Sequence, residues 1–385
     1  MTTGATGAAQ EIQPPGSGAA PLLSLVLCSR NDNFQGNSLW RLETTLNHVA
    51  RQAAEMGRLA DLEVVVADWG SEEPLRDAVR LSDEAAEVVR FLTVPVPLAK
   101  EKQRDSRFAE VFAINAAARR SRGEYIGRID QDTLVGRHFL AWFFRAADTG
   151  DTGDRAFPLD AAVMISNRRR IPYHFAVRCP SFPVVERYVS WFDRRLPAMG
   201  GAGKENYWEV YIGILLFHRR LWEECGGYDE TFIYYSYMEF DLFLRLLKKY
   251  EGVNLGPIVG DDFHHLDHMP SWLSWNHQPR TNNNVIRTPE DPPPDFCPAG
   301  PDWGLGRYDL PLEEVPDGGR GLASRDARWG VRHWPELLWT TAASTVGTVW
   351  YLVRDQIRMR GYVRGVAFTL IVSTGLRARL SRIRG

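Results

Sequence analysis

Short apolar runs alternate with amphipathic stretches along most of the chain, and that alternation limits the possible folds more than any other feature. The runs are Leu22–Cys28, Leu62–Ala67, Val88–Val94, Tyr125–Ile129, Ala161–Ile165 and Ile212–Phe217. Between the first two, Leu39, Leu42, Leu46, Val49, Ala53 and Met56 step by three or four and form one face of a helix. Phe108–Arg120 is Ala-rich and reads as a second helix. Strand–helix–strand alternation predicts an α/β fold: a mainly parallel sheet with helices on both faces. Such sheets take ligands outside the carboxyl ends of their strands, so the residues just after each run matter most.

Residues 1–20 have no basic residue and no apolar run, which argues against a secretory signal and for an unstructured leader. The body spans 21–285. A Pro/Gly-rich stretch, 286–335, reads as a connector to a tail, 336–385. That tail begins with the uncharged Leu337–Val353, followed by eight arginines against one acid, Asp355. It is short for a spanning helix and suits either a helix lying on an anionic membrane surface or a helical cap docked on the body. With 46 basic and 48 acidic residues the net charge is −2, so no general field recruits nucleic acid. Four scattered cysteines without a C-x-x-C pair exclude a disulfide framework or a Cys-built zinc site. The chain reads as cytoplasmic, with possible contact at the cytoplasmic face of a membrane through the tail.

Three clusters could carry chemistry. The run Tyr125–Ile129 leads directly into Asp130-Gln131-Asp132. Carboxylates at a strand end suit Mg²⁺ or Mn²⁺, with phosphate oxygens completing the shell; a solvated turn is the plain alternative. Next, Cys225-Gly226-Gly227-Tyr228-Asp229-Glu230 precedes Met238-Glu239-Phe240-Asp241-Leu242, which opens a helix. Acids there either complement the helix dipole or include a general base. Last, Asp261-Asp262-Phe263-His264-His265-Leu266-Asp267-His268 is the densest set of potential ligands. Imidazole favours Mn²⁺ or Zn²⁺ over Mg²⁺.

The order of these features is more specific than any one of them. Ser29-Arg30-Asn31-Asp32 follows the first run and Asp68-Trp69-Gly70-Ser71 the second; Asn115 lies in the Ala-rich helix, and Gly123-Glu124-Tyr125-Ile126 precedes Asp130-Gln131-Asp132. Over 22–270 this resembles the family 2-like glycosyltransferases of GT-A, nucleotide-diphospho-sugar transferase, fold. The resemblance implies a metal-dependent enzyme moving a sugar, with inversion, from a nucleotide-diphosphate donor to a hydroxyl of a glycan or lipid-linked acceptor. A UDP-sugar is the donor it favours. Asp68 would meet the base, with capping of its turn as the alternative. Ser29, Arg30, Asn31, Arg107, Asn115, Asp130 and Gln131 would lie on the donor side. Asp132 would hold Mn²⁺ or Mg²⁺ together with His265 or His268. Glu239 falls at the general-base position when Asp241-Leu242 is aligned with the family's final Asp-Leu, and Asp241 is the alternative. Glu205, Asn206 and aromatics such as Trp208, Tyr234, Tyr235 and Trp272 would face the acceptor. A nucleotidyltransferase and a non-catalytic scaffold of a glycan assembly complex are the rival readings.

Overall fold

The computed structural model describes residues 20–193, 196, 212–268, 282, 295–316, 321 and 328–360. It begins with β1 (Leu23–Ser29), α1 (Ser38–Glu55), β2 (Leu62–Trp69) and β3 (Val89–Val94). Then come α2 (Glu110–Arg120), β4 (Tyr125–Arg128), β5 (Thr133–Val135) and α3 (Arg137–Thr149). They are followed by β6 (Ala162–Asn167), β7 (Arg169–Ile171), α4 (Phe182–Phe192), β8 (Ile212–His218) and α5 (Arg219–Cys225). The last elements used below are α6 (Met238–Leu246), β9 (Glu251–Asn254), β10 (Phe263–Leu266) and α7 (Trp334–Arg360).

All six apolar runs are strands of one seven-stranded sheet ordered β3-β2-β1-β4-β8-β6-β9. Its β3, β2, β1 and β4 are mutually parallel, and β8 enters antiparallel between β4 and β6. Alternate residues of each strand serve opposite faces. Leu23, Leu25 and Leu27 of β1 pack into the core beneath α1 and α3, while Val26 joins Val65 and Ala67 in the core on the side of α2, α5 and α6. Burial on both faces is why the strands read as continuous apolar runs rather than alternating ones. The chain passes from β1 to β2 and β3 on one side and returns to β4 on the other, so the carboxyl ends of β1 and β4 border a topological switch point.

A small second sheet, β5-β10-β7, was not foreseen from the sequence. Its central strand reads Phe263-His264-His265-Leu266, with no apolar run to mark it. In register, His265 stands opposite Thr133 of β5 and Arg170 of β7, and the Leu266 N–H donates to the Asp132 carbonyl at 2.9 Å.

The stretch expected as a loose connector is partly built into the body. Trp303, Leu305 and Leu310 are buried in the α2–α6 core, and Glu313 pairs antiparallel with Phe91 at the open edge of β3. Arg119 donates to the carbonyls of Pro301 and Trp303, and Arg120 to those of Gly304, Leu305 and Tyr308. Side chains thus satisfy a backbone that no regular element pairs. Of the tail, α7 docks by one face: Leu337 is buried, and Glu336 accepts from the Ser181 N–H at 2.7 Å and its hydroxyl at 2.6 Å. On the outside, Trp339 is 71% and Trp350 67% exposed. Among the described residues no helix is long and apolar enough to cross a membrane. Residues 1–19 and 361–385, including the second apolar stretch of the tail, lie outside the described residues.

Candidate functional site

A cavity of about 370 Å³ opens at the carboxyl ends of β1 and β4. It is lined by Ser29 and Arg30 after β1, and by Asp130, Gln131 and Asp132 after β4. Arg107 enters from the turn before α2, and His265 and His268 from β10 and its exit. These eight are among the residues of the sequence reading that share one space. Parallel pairing of β1 with β4 makes this unavoidable, because neighbouring parallel strands release their chains at the same end. A hydrogen bond from the Ser29 hydroxyl to the Gln131 side chain closes the gap between the two strand ends.

Asp132 is the hub. Its Oδ1 lies 3.0 Å from His265 Nδ1 and its Oδ2 3.7 Å from His268 Nε2. Arg41, only 1% exposed, pairs with the same carboxylate from α1 and also donates to the Phe34 carbonyl at 2.6 Å. Burial alone would push the Asp132 carboxyl up, but His265, Arg41 and His268 together hold it well below the ordinary carboxylate range. One ligand atom from each of Asp132, His265 and His268 lies within 4.8 Å of the others. One carboxylate and two imidazoles in that space form a donor set that fits Mn²⁺ or a similar divalent cation better than Mg²⁺.

A second set of charges surrounds the buried guanidinium of Arg128. Its Nη2 meets Glu110, Asp130 Oδ1 at 2.7 Å and Glu239 Oε1 at 3.1 Å. Arg168 pairs with the other oxygen of Asp130. Burial pushes the Asp130 carboxyl up, and Arg128 and Arg168 outweigh it and leave Asp130 lowered. Glu110 goes the other way: burial, with Glu239 and Asp130 beside it, overcomes Arg128 and pushes it up to about 7.

The remaining sequence-read residues serve the body. Asp68 is fully buried, and its two oxygens accept from the Ser71 hydroxyl and the Leu75 N–H; its carboxylate caps the turn after β2. Asn31 stands beside that turn, its N–H donating to the Ser71 hydroxyl at 2.8 Å. Asn115 donates to the Tyr228 carbonyl at 2.9 Å and accepts from the Tyr228 N–H at 2.8 Å, tying α2 to the glycine turn before α6. Asp241 is buried in an ion pair with Arg245 at 2.8 Å, and Arg245 in turn holds the carbonyls of Cys225, Gly227 and Phe296. Glu239 is outside the cavity lining and reaches its border through Arg128. Of the acceptor-side expectations, Tyr234 and Tyr235 line the cavity. Residues 205–208 and 272 lie outside the described residues.

Lining or bordering residues that escaped the sequence reading include Arg41, Glu110, Arg168 and Arg170. Arg41 interrupts the polar side of an amphipathic helix and looks like a solvated charge. Arg168 precedes, and Arg170 lies within, a three-residue strand with no apolar run. Glu110 carried one clue, being the acid in the first turn of α2, immediately after Arg107 and Phe108.

No protein-family model matches the sequence, and no curated protein is significantly similar to it. Solved structures similar to it include the catalytic domain of Drosophila beta1,4galactosyltransferase 7 in complex with xylobiose. That likeness has 12% identity and a TM-score of 0.36 and covers 69% of this chain and 76% of that one. TarS residues 1–349 of S. aureus, in complex with UDP, is 11% identical with a TM-score of 0.37, over 63% and 60% of the two chains. The mannosyltransferase PcManGT of Pyrobaculum calidifontis, in complex with GDP-Man and Mn²⁺, is 17% identical with a TM-score of 0.36, over 63% and 58%.

Proposed function

We propose that this chain is a glycosyltransferase that moves a sugar from a nucleotide-diphosphate donor to an acceptor hydroxyl. The observation that carries the reading is the cavity at the β1–β4 switch point, lined both by Asp132, His265 and His268 and by Arg30, Arg107, Arg168 and Arg170. A diphosphate suits such a lining: a cation site together with guanidinium groups able to make bidentate contact with phosphate oxygens. When bound at Asp132, His265 and His268, a divalent cation supplies positive charge where a departing diphosphate gathers negative charge.

The protein's own groups account for the rest. The arginines orient the diphosphate, and Asp130, held between Arg128 and Arg168, takes hydroxyls of the donor ribose or sugar. Of the two acids considered for proton removal, this reading takes Glu239, which sits at the border of the cavity through Arg128, over Asp241, which is buried against Arg245. Attack from the side opposite the leaving group inverts the anomeric carbon. Glycans and lipid-linked sugars are the acceptors this reading names, and the exposed Trp339 and Trp350 face of α7 would bring the enzyme to a membrane surface where such acceptors reside.

The test is thermal stability of wild type and Asp132→Ala against a panel of nucleoside diphosphates, with and without Mn²⁺. A site filled a hundredfold above its Kd adds about 2.7 kcal/mol. A Mn²⁺-dependent shift with one nucleotide, lost in Asp132→Ala, is the expected result and identifies the donor's base. No shift with any nucleotide would favour a non-catalytic scaffold. A shift indifferent to Mn²⁺ and to Asp132 would retain nucleotide binding and remove the metal-assisted step.

A further inference from the structure

Successive residues of a strand point to opposite faces. While His265 of β10 turns to Asp132, His264 turns the other way, to a separate cavity of about 390 Å³ behind the small sheet. We infer that this cavity holds a second divalent-cation site, built from Asp193, Asp262 and His264, for a first-row cation such as Zn²⁺ or Mn²⁺.

One ligand atom from each of the three lies within 4.8 Å of the others. They come from two segments of the chain: Asp193 caps the end of α4, and Asp262 and His264 lie two residues apart at the start of β10, on one face of it. His264 Nε2 stands 2.9 Å from Asp193 Oδ1. Two ligands at about 2.1 Å from one ion, subtending between a right angle and a tetrahedral angle, are about 2.9 to 3.4 Å apart, so this spacing already fits a shared cation. Asp262 accepts from the Phe139 N–H at 2.9 Å through Oδ2. Gly136 keeps the space for it, because a Cβ there would overlap the Asp262 carboxylate. The exposed His138, with Nε2 3.9 Å from Asp193 Oδ2, is at hand for a fourth position.

An ordinary buried ion pair between Asp193 and His264 leaves more unexplained. His264 is 1% exposed and turns its Nε2 to Asp193, so the imidazole is committed to this cluster. His48, 3% exposed and lining the same cavity, pairs with Glu186 through Nδ1, and its Nε2 has no hydrogen-bond partner among the described residues. A buried imidazole nitrogen without a partner on the lining of this cavity is a costly arrangement unless something in it engages that nitrogen. Two carboxylates and an imidazole without sulfur are a donor set that Zn²⁺ and Mn²⁺ accept. Such an ion would tie α4 and the start of α3 to β10, the strand that presents His265 to the first cavity. The inference does not depend on the glycosyltransferase reading.

Equilibrium dialysis of the metal-stripped full chain against Zn²⁺, and separately Mn²⁺, with bound metal counted, tests it. Asp132→Asn is expected to keep one equivalent, and adding Asp193→Asn or His264→Gln to it should weaken that equivalent at least about tenfold. Either second substitution decides the matter should the other fail to fold, with folding checked by circular dichroism in metal-free buffer. An Asp132→Asn chain that binds no metal, or binds it equally well with Asp193→Asn or His264→Gln added, overturns the site. A wild-type chain whose one equivalent survives Asp132→Asn but not Asp193→Asn upholds this site and counts against a cation at Asp132.

Discussion

Arg128 carries three carboxylates on one guanidinium, and the consequences differ for each. If Glu239 removes the acceptor proton, Glu239→Gln should lower kcat by roughly 10²- to 10⁴-fold while leaving the donor KM nearly unchanged, measured by steady-state kinetics. Asp241→Asn should instead lower stability, by about 3 kcal/mol in denaturant unfolding, since it leaves Arg245 buried without its counter-charge. Glu110 gives a pH signature. Its carboxyl is raised in the fold to about 7, against about 4.3 in an unfolded chain, so the folded state holds its proton more tightly. That contribution is complete below the unfolded value and is lost as pH rises through about 7. Glu110→Gln, which cannot ionise, should therefore gain melting temperature relative to wild type between pH 5 and pH 8.

At the scale of elements, two junctions position the site. Between α2 and α6, Asn115 sits against Gly227, whose φ of +67° and whose contact with the Asn115 side chain both exclude a Cβ. Gly227→Ala should cost at least about 2 kcal/mol in denaturant unfolding through strain and overlap together. The other element with a testable role is α7. Its docked face is held by Leu337 and Glu336, while Leu338, Trp339, Val346 and Trp350 face outward. Replacing Trp339 and Trp350 by Gln should abolish flotation with anionic vesicles while leaving the melting temperature of the protein alone unchanged. Equal recovery of both forms in the soluble fraction would dismiss the membrane contact.

For the whole molecule, the second half of the core is completed by residues far along the chain. Trp303, Leu305 and Leu310 fill the space against α2 and α5, so a chain ending at residue 285 should expose that surface and aggregate, whereas one ending after residue 316 should stay monomeric by light scattering. Six of the seven strands of the large sheet were legible in the sequence because strands buried on both faces leave uninterrupted apolar runs, which the edge strand β9 lacks, and the residues at the ends of β1 and β4 were legible because parallel neighbours end together. Asp130, Gln131, Asp132, Ser29 and Arg30, which stand at those strand ends and which the family resemblance put on the donor and metal side, all line the cavity. Which face each histidine takes, that Asn115 is spent on a buried partner, and that Arg41 reaches Asp132 from the polar side of α1 were decided only by the tertiary structure, whereas the Asp241–Arg245 pair is one helical turn apart. Periodicity reports burial by the nearest layer, whereas the partner of a buried charge depends on a chain segment tens of residues away, and no local pattern encodes that distance.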